Sequence, residues 1–228
     1  MPTERRDALV VALAVATGGM DAIGFIALGG VFASVMTGNL VLLGVSASHR
    51  SASLAAHVGV ALAGYIVGVV AGVVVAGQPG RARSTWPARV TGALLIELAL
   101  IVGVTIGWEL VGGHPVGDPQ LLMLGMAALA MGIQSAAVRA LADPGLSSTY
   151  MTATLTNLVS AVAAGHGWAG QRRNIAVIAA LVVGAVAAGV LVVEVPRAAP
   201  AVVVAALGSV IVAARVAAAP AGSGRAPD

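Results

Sequence analysis

The sequence contains no cysteine, no lysine and very little charge. Without cysteine there are no disulfides, no thiolate metal sites and no cysteine nucleophile. Charged residues make up 9% of the 228 positions, where a soluble domain uses about a quarter to keep its surface wet. A soluble fold is thereby excluded. Enzyme signatures are missing too: there is no P-loop, no phosphate-gripping Gly-rich turn after a strand, no His-Glu-x-x-His and no Ser-His-Asp set. The chain is expected to be no enzyme and to need no cofactor. With no ATP site, any transport must run downhill or on an ion gradient.

What is present is apolar. Hydrophobic residues make up 59% of the chain, mean hydropathy is +0.99, and the apolar residues come in blocks rather than amphipathic stripes. Several blocks reach the roughly 20 residues needed to cross a hydrocarbon core of about 30 Å. All 12 basic residues are arginine; with so much Ala, Gly and Val, this points to a G+C-rich bacterial genome. The pI near 10.6 does not imply nucleic acid, because the net charge is only +3 and the arginines sit between apolar blocks, where they orient spans. The first block follows Arg5-Arg6 and contains Ala14-Val15-Ala16, in the manner of a cleavable signal. Its hydrophobicity continues to Phe32, so an uncleaved first helix is expected.

Six spans are expected, at about 8–30, 53–77, 89–111, 120–141, 173–194 and 199–217, with two shorter apolar segments at about 37–48 and 150–165. Each short segment covers about half a membrane at 1.5 Å per residue. Each follows a poor helix former, Gly29-Gly30 or Asp143-Pro144-Gly145. Arginine discriminates the topologies. If both short segments cross, Arg5, Arg6, Arg50, Arg172, Arg173, Arg215 and Arg225 lie inside, and Arg81, Arg83, Arg89, Arg139 and Arg197 outside. If both turn back, only Arg50 and Arg197 lie outside, so the positive-inside rule favours re-entrant segments.

The expected fold is therefore an all-α membrane protein of about six transmembrane helices with two short re-entrant or broken half-helices, arranged as inverted repeats. Residues 1–7 form a cytoplasmic N-terminus, 8–218 one polytopic membrane domain (repeat one about 8–111, repeat two about 120–217), and 219–228 a disordered cytoplasmic tail. Gly19-Met20-Asp21-Ala22 aligns with Gly132-Ile133-Gln134-Ser135, and Met36-Thr37-Gly38-Asn39-Leu40 with Met151-Thr152-Ala153-Thr154-Leu155. Inverted repeats with broken helices near mid-membrane recur in transporters.

The candidate site residues are polar groups at membrane depth. Asp21 falls near the middle of the first span, where a carboxylate costs roughly 2.5–3.5 kcal/mol; it either serves function or ties helices together. Glu97 occupies a similar place in the third span, and Gln134 the position aligned with Asp21. Ser34, Thr37, Gly38 and Asn39, with Ser147, Ser148, Thr149, Tyr150, Thr152, Thr154 and Asn157, mark where extended chain becomes half-helix. Their side chains can cap free backbone N–H groups, or two half-helix N-termini can aim partial positive charge at an anionic group, Asp21 included. Gly64, Gly68 and Gly72 repeat every fourth residue and permit close helix contact, within the monomer or across a homo-oligomer. His57 and Tyr65 face a polar path or are satisfied singly, and Glu109 beside Trp108 is interfacial. His49, His114 and His166 show no metal-ligand spacing, and no metal is expected.

Three stretches carry a family resemblance: Gly19-Met20-Asp21-Ala22-Ile23-Gly24-Phe25, Gly29-Gly30-Val31-Phe32 and Met36-Thr37-Gly38-Asn39-Leu40-Val41-Leu42-Leu43-Gly44. With Gly132-Ile133-Gln134-Ser135-Ala136-Ala137-Val138-Arg139 and Ser148-Thr149-Tyr150-Met151-Thr152-Ala153-Thr154-Leu155-Thr156, the chain resembles the YoaK family, domain of unknown function 1275. Ala153 departs from the glycine the family pattern has after the second Met-Thr. The resemblance implies a bacterial polytopic membrane protein and names no substrate. On the residues, the leading expectation is a small-solute transporter or channel of the bacterial inner membrane. Asp21 would be its proton- or cation-sensitive group, and both termini would be cytoplasmic. The alternative is a non-transporting structural or accessory membrane protein. The expected partners are the lipid bilayer and a small solute or proton, not nucleic acid.

Overall fold

The computed structural model describes residues 3–78, 86–141, 151–165 and 167–218. Arg81, Arg83, the Asp143-Pro144-Gly145 break, Ser147, Ser148, Thr149, Tyr150, His166, Arg225 and the 219–228 tail lie outside them. Among the described residues eight α-helices follow in order: α1 Thr3–Ala27, α2 Met36–Ser48, α3 Ala52–Ala76, α4 Ala88–Leu110, α5 Asp118–Ala140, α6 Met151–Ala163, α7 Arg172–Glu194 and α8 Ala201–Ala218. Short 3-10 turns at Trp168–Gln171 and Pro196–Ala198 lead into α7 and α8, and no strand occurs among the described residues. Six helices are long and apolar enough to cross a membrane. The other two, α2 and α6, have 13 residues each and reach only about 20 Å.

Local chemistry sets the helix ends. α1 stops at Ala27, three residues short of the expected span, because Gly29 and Gly30 adopt φ values of 96° and 75°, a left-handed backbone that a helix of L-residues does not continue through. The Ser51 side chain caps α3 by accepting the Leu54 N–H at 3.3 Å. Pro119 lies in the first turn of α5, where its missing N–H costs nothing.

Two helix crossings dominate the packing, α3 on α5 and α1 on α7. Gly64, Gly68 and Gly72 all face α5. A Cβ on Gly68 would overlap the Leu129 carbonyl oxygen, one on Gly64 would lie 2.6 Å from Gly125 O, and one on Gly72 2.7 Å from the Ala136 Cβ. This stripe is used up inside the monomer. From the other side, a Cβ on Gly132 would overlap Tyr65 O. The α1–α7 crossing is built the same way: a Cβ on Gly18 would overlap Leu181 O, and one on Gly184 would overlap Val15 O. The spacing also agrees, since Val15 and Gly18 match Leu129 and Gly132, while Tyr65 and Gly68 match Leu181 and Gly184.

Hydrogen bonds fix the relative direction of α1 and α5. Gln120, at the start of α5, donates to Ala27 O at the end of α1 at 2.9 Å. Gln134, deep in α5, donates to Thr17 Oγ1 at 2.7 Å and to Leu13 O at 3.4 Å. The two helices therefore run antiparallel. They are also the most buried of the six long helices, so they form the centre around which the others pack. At one end, the Trp108 indole donates to Pro196 O at 2.7 Å and ties α4 to the turn before α8. At the other end, Arg173 lies 3.7 Å from Asp7, joining α7 to α1.

The course of α2 follows from its contacts. After Ala27 the chain doubles back along α1: Phe32 stacks on Phe25 at 5.1 Å, and Ser34 bonds to Asp21. α2 then climbs about 20 Å to Ser51. His57, one and a half turns into α3, lies directly against Gly29. α2 thus begins inside the bundle and ends where α1 emerged. α6 begins comparably, with Met151 packed on the cluster of Ala14, Val177 and Ala180, several residues inside the ends of α1 and α7.

Candidate functional site

The site is assembled from the descending segment 28–35, the start of α2 and the facing side of α1. An extended segment in a bundle interior leaves backbone N–H and C=O groups that lipid cannot satisfy. Two side chains do so. Asp21, 7% exposed, accepts the Ser34 N–H on Oδ1 at 2.7 Å and the Ser34 hydroxyl on Oδ2 at 2.5 Å. Asn39, fully buried, accepts the Phe32 N–H at 2.9 Å and donates to the Phe32 carbonyl at 2.7 Å. The peptide of Phe32 is thereby paired as it would be in a sheet.

Asp21 also occupies the mouth of a helix N-terminus. The cap residue of α2 is Val35, which makes no side-chain cap bond. The capping expected of Ser34 or Thr37 is therefore not what opens this helix. In its place stands a carboxylate from α1, where the partial positive charge of the first turn favours an anion. One turn earlier on α1, Thr17 donates to Leu13 O at 3.0 Å and accepts from Gln134. Thr17, Asp21, Ser34, Asn39 and Gln134 make up the buried polar core: Thr17–Gln134 joins α1 to α5, Asp21–Ser34 joins α1 to the descending segment, and Asn39 closes α2 on Phe32.

The remaining candidates lie elsewhere. Thr37, Thr152 and Asn157 are exposed. Thr154 is buried. Gly38 packs under the Phe32 ring, which a Cβ would approach at 3.2 Å. Glu97 is fully buried in α4, with neither carboxyl oxygen partnered among the described residues. Tyr65 donates to Ser135 at 2.9 Å, so it is satisfied. Among the described residues no group of three or more His, Asp or Glu side chains is arranged to hold a metal.

A family model described as "Protein of unknown function (DUF1275)" matches residues 9–214. The chain belongs to this family. A relative named "UPF0700 transmembrane protein YoaK", from Bacillus subtilis (strain 168), is 32% identical over 155 residues. The aligned stretch covers 68% of this chain and 66% of the relative, just under two thirds of its length. No solved structure matches. Family membership and six apolar helices make this a multi-pass membrane protein. The residues of this DUF1275 chain that form the polar core all lie within the matched region.

Two contributors had no prominence in the sequence. Thr17 is a single threonine in an apolar block; its signal is the four-residue spacing to Asp21, which puts both on one helix face. Gln120 lies at a span end and looks interfacial; nothing in its neighbourhood announces its bonds to α1 and α3. A groove of about 450 Å³ between α4 and α5, lined by Gly103, Gly107, Leu122, Met123 and Met126, contains none of the candidate site residues.

Proposed function

We propose that this DUF1275 protein is a small-solute transporter or channel of the bacterial plasma membrane, not an enzyme, built from two inverted halves with both termini cytoplasmic. The observation that carries the reading is Asp21 at the N-terminus of α2: a carboxylate and a broken helix meeting in the bundle interior. Ion and solute sites at unwound helix starts follow from the same physics in other transporters. The matched glycine crossings and the antiparallel course of α1 and α5 support inverted halves. Superposing the crossings pairs Asp21 with Ser135, one residue from the Gln134 that sequence alignment gives. The second half then carries a hydroxyl where the first carries the acid. Asp21 is an acid without an acidic counterpart at that position, suited to a proton or cation that drives a solute, with Glu97 as a second buried carboxyl.

A second reading has its own observation. Both oxygens of Asp21 and both polar groups of Asn39 are spent on residues 32 and 34, as they would be in a structural or accessory protein whose polar core only fastens α2. Purified protein screened against a metabolite library for thermal stabilisation identifies ligands, and uptake of the hits into proteoliposomes follows. Transport requires that Asp21→Asn abolish uptake while the protein stays folded. Uptake unchanged in Asp21→Asn, or no hit that is carried across the bilayer, overturns it in favour of the structural reading.

A further inference from the structure

His57 joins four parts of the molecule. It lies near the start of α3, 9% exposed. Its Nδ1 is 2.8 Å from Ser53 O, and its Nε2 is 3.1 Å from Gln120 Oε1. Gln120 in turn donates through Nε2 to Ala27 O, the last carbonyl of α1, at 2.9 Å. The imidazole also presses on Gly29, so that any Cβ there would overlap the ring. The descending segment that carries Ser34 to Asp21 starts at that point.

The donor inventory of this chain is decisive. A backbone carbonyl accepts only, and the Gln120 oxygen accepts only. Both ring nitrogens of His57 therefore face acceptors, and each bond requires a proton on its nitrogen. A neutral ring has one N–H and leaves one of the two contacts as acceptor against acceptor. Turning the Gln120 amide over does not help, because its oxygen would then face Ala27 O, again two acceptors. All three bonds form together only around a doubly protonated imidazole.

We propose that His57 is a proton-binding site that locks the α1–α2 connection. With both nitrogens protonated, the ring bridges Ser53 to Gln120, Gln120 holds the end of α1, and the ring face pins Gly29. When one proton leaves, one bond of the chain breaks and the Gly29 end of the segment is released, while Phe32 and Ser34 stay tied to Asn39 and Asp21. This deepens the transport reading by giving the proton a site at the end of α1, distinct from Asp21. Of the elements packed on α3, α5 carries Asp118 and Arg139, α4 carries Arg89, Glu97 and Glu109, and α2 carries no titratable group; α1, reached through Gln120, carries Glu4, Arg5, Arg6, Asp7 and Asp21, and the turn before α3 carries His49 and Arg50. None of these is a hydrogen-bond partner of the ring.

The test needs no solute, so its failure is separable from failure of the transport proposal. The full chain in lipid nanodiscs, labelled with 15N-histidine and assigned with His57→Asn, reports by NMR how many ring nitrogens carry protons. Hydrogen–deuterium exchange of residues 28–35, corrected for the intrinsic effect of pH on amide exchange, reports release of the segment. The expected result is two ring protons at the acid end of a pH series and one at its alkaline end. Exchange of 28–35 should rise about two- to tenfold in step, the change one hydrogen bond carries. In Gln120→Leu, which leaves His57 in place, the step in exchange should disappear. A ring with one proton throughout, or exchange of 28–35 that ignores the ring, overturns the proposal; so does an undiminished step in Gln120→Leu.

Discussion

Asn39 holds the peptide of Phe32 from both sides, accepting its N–H at 2.9 Å and donating to its carbonyl at 2.7 Å. One side chain thus satisfies two backbone groups in the stretch where the chain is neither helix nor sheet. Asn39→Ala leaves both without their partner in a half-buried place, at a cost of up to about 1–3 kcal/mol for each. A clear fall in the thermal midpoint of the detergent-solubilised protein is the expected outcome. A midpoint unchanged from wild type would mean that water reaches Phe32 and that this interior is wet.

Asp21→Asn keeps an oxygen for the Ser34 N–H and gains an amide that can donate to the Ser34 hydroxyl. It should melt within about 1 kcal/mol of wild type, whereas Asp21→Leu loses both bonds and should lose about 2–5 kcal/mol. Paired melting curves check this. Equal losses for the two variants would show that charge, and not hydrogen bonding, holds α2 in place.

The glycine crossings make a sharp contrast. Gly68→Ala sets a methyl against the Leu129 carbonyl, a backbone atom that cannot step aside without moving α5. Overpacking of this kind costs about 1–3 kcal/mol. Gly92→Ala, in α4, has no atom within 4 Å of the new methyl and should gain up to about 1 kcal/mol of helix propensity. Thermal unfolding of the two variants side by side is the check.

Glu97 gives the reverse expectation. A buried carboxyl without a partner subtracts from stability, so Glu97→Met should leave the protein unchanged or raise its stability by about 1–4 kcal/mol. Should that variant also lose an uptake activity that wild type has, Glu97 would be retained for function at the expense of stability. A marked drop in the melting point would reveal a partner for the carboxyl instead.

The course of α2 predicts accessibility. The absence of native cysteine makes single-cysteine labelling clean. Ser48→Cys and His114→Cys should react with a membrane-impermeant maleimide from one side of the bilayer, and Gln171→Cys from the other. Since α3, α4 and α5 cross between them, labelling of Ser48→Cys and Gln171→Cys from the same side would mean that α6 crosses the bilayer and would remove the inverted halves; labelling of Ser48→Cys from the side of the N-terminus would remove the turn-back of α2.

Much of the architecture was legible along the chain because the bilayer imposes a length. Apolar runs near 20 residues fixed the six long helices to within a few residues, except at the start of α1, which extends to Thr3. The two short runs stood out for being short. Gly29-Gly30 marked the first break for a local reason, the left-handed backbone that glycine tolerates. Asp21 and Asn39 stood out as polar residues at apolar depth. Thr37 and Thr152 were just as conspicuous, yet they are exposed and outside the polar core. On a helix of half membrane length, one residue of rotation decides between interior and exterior, and composition does not record rotation.

Composition and spacing alone therefore determined the membrane setting, the number of long helices, the Gly29-Gly30 interruption and the absence of thiol chemistry, since each depends on residue type and run length. Tertiary structure decided which partners the polar residues take: Asp21 with Ser34, Asn39 with Phe32, Gln134 with Thr17, and His57 with Gln120. Those pairings join positions up to 117 residues apart. They depend on glycine-to-carbonyl contact at the two crossings, where a single methyl group changes how closely the helices approach.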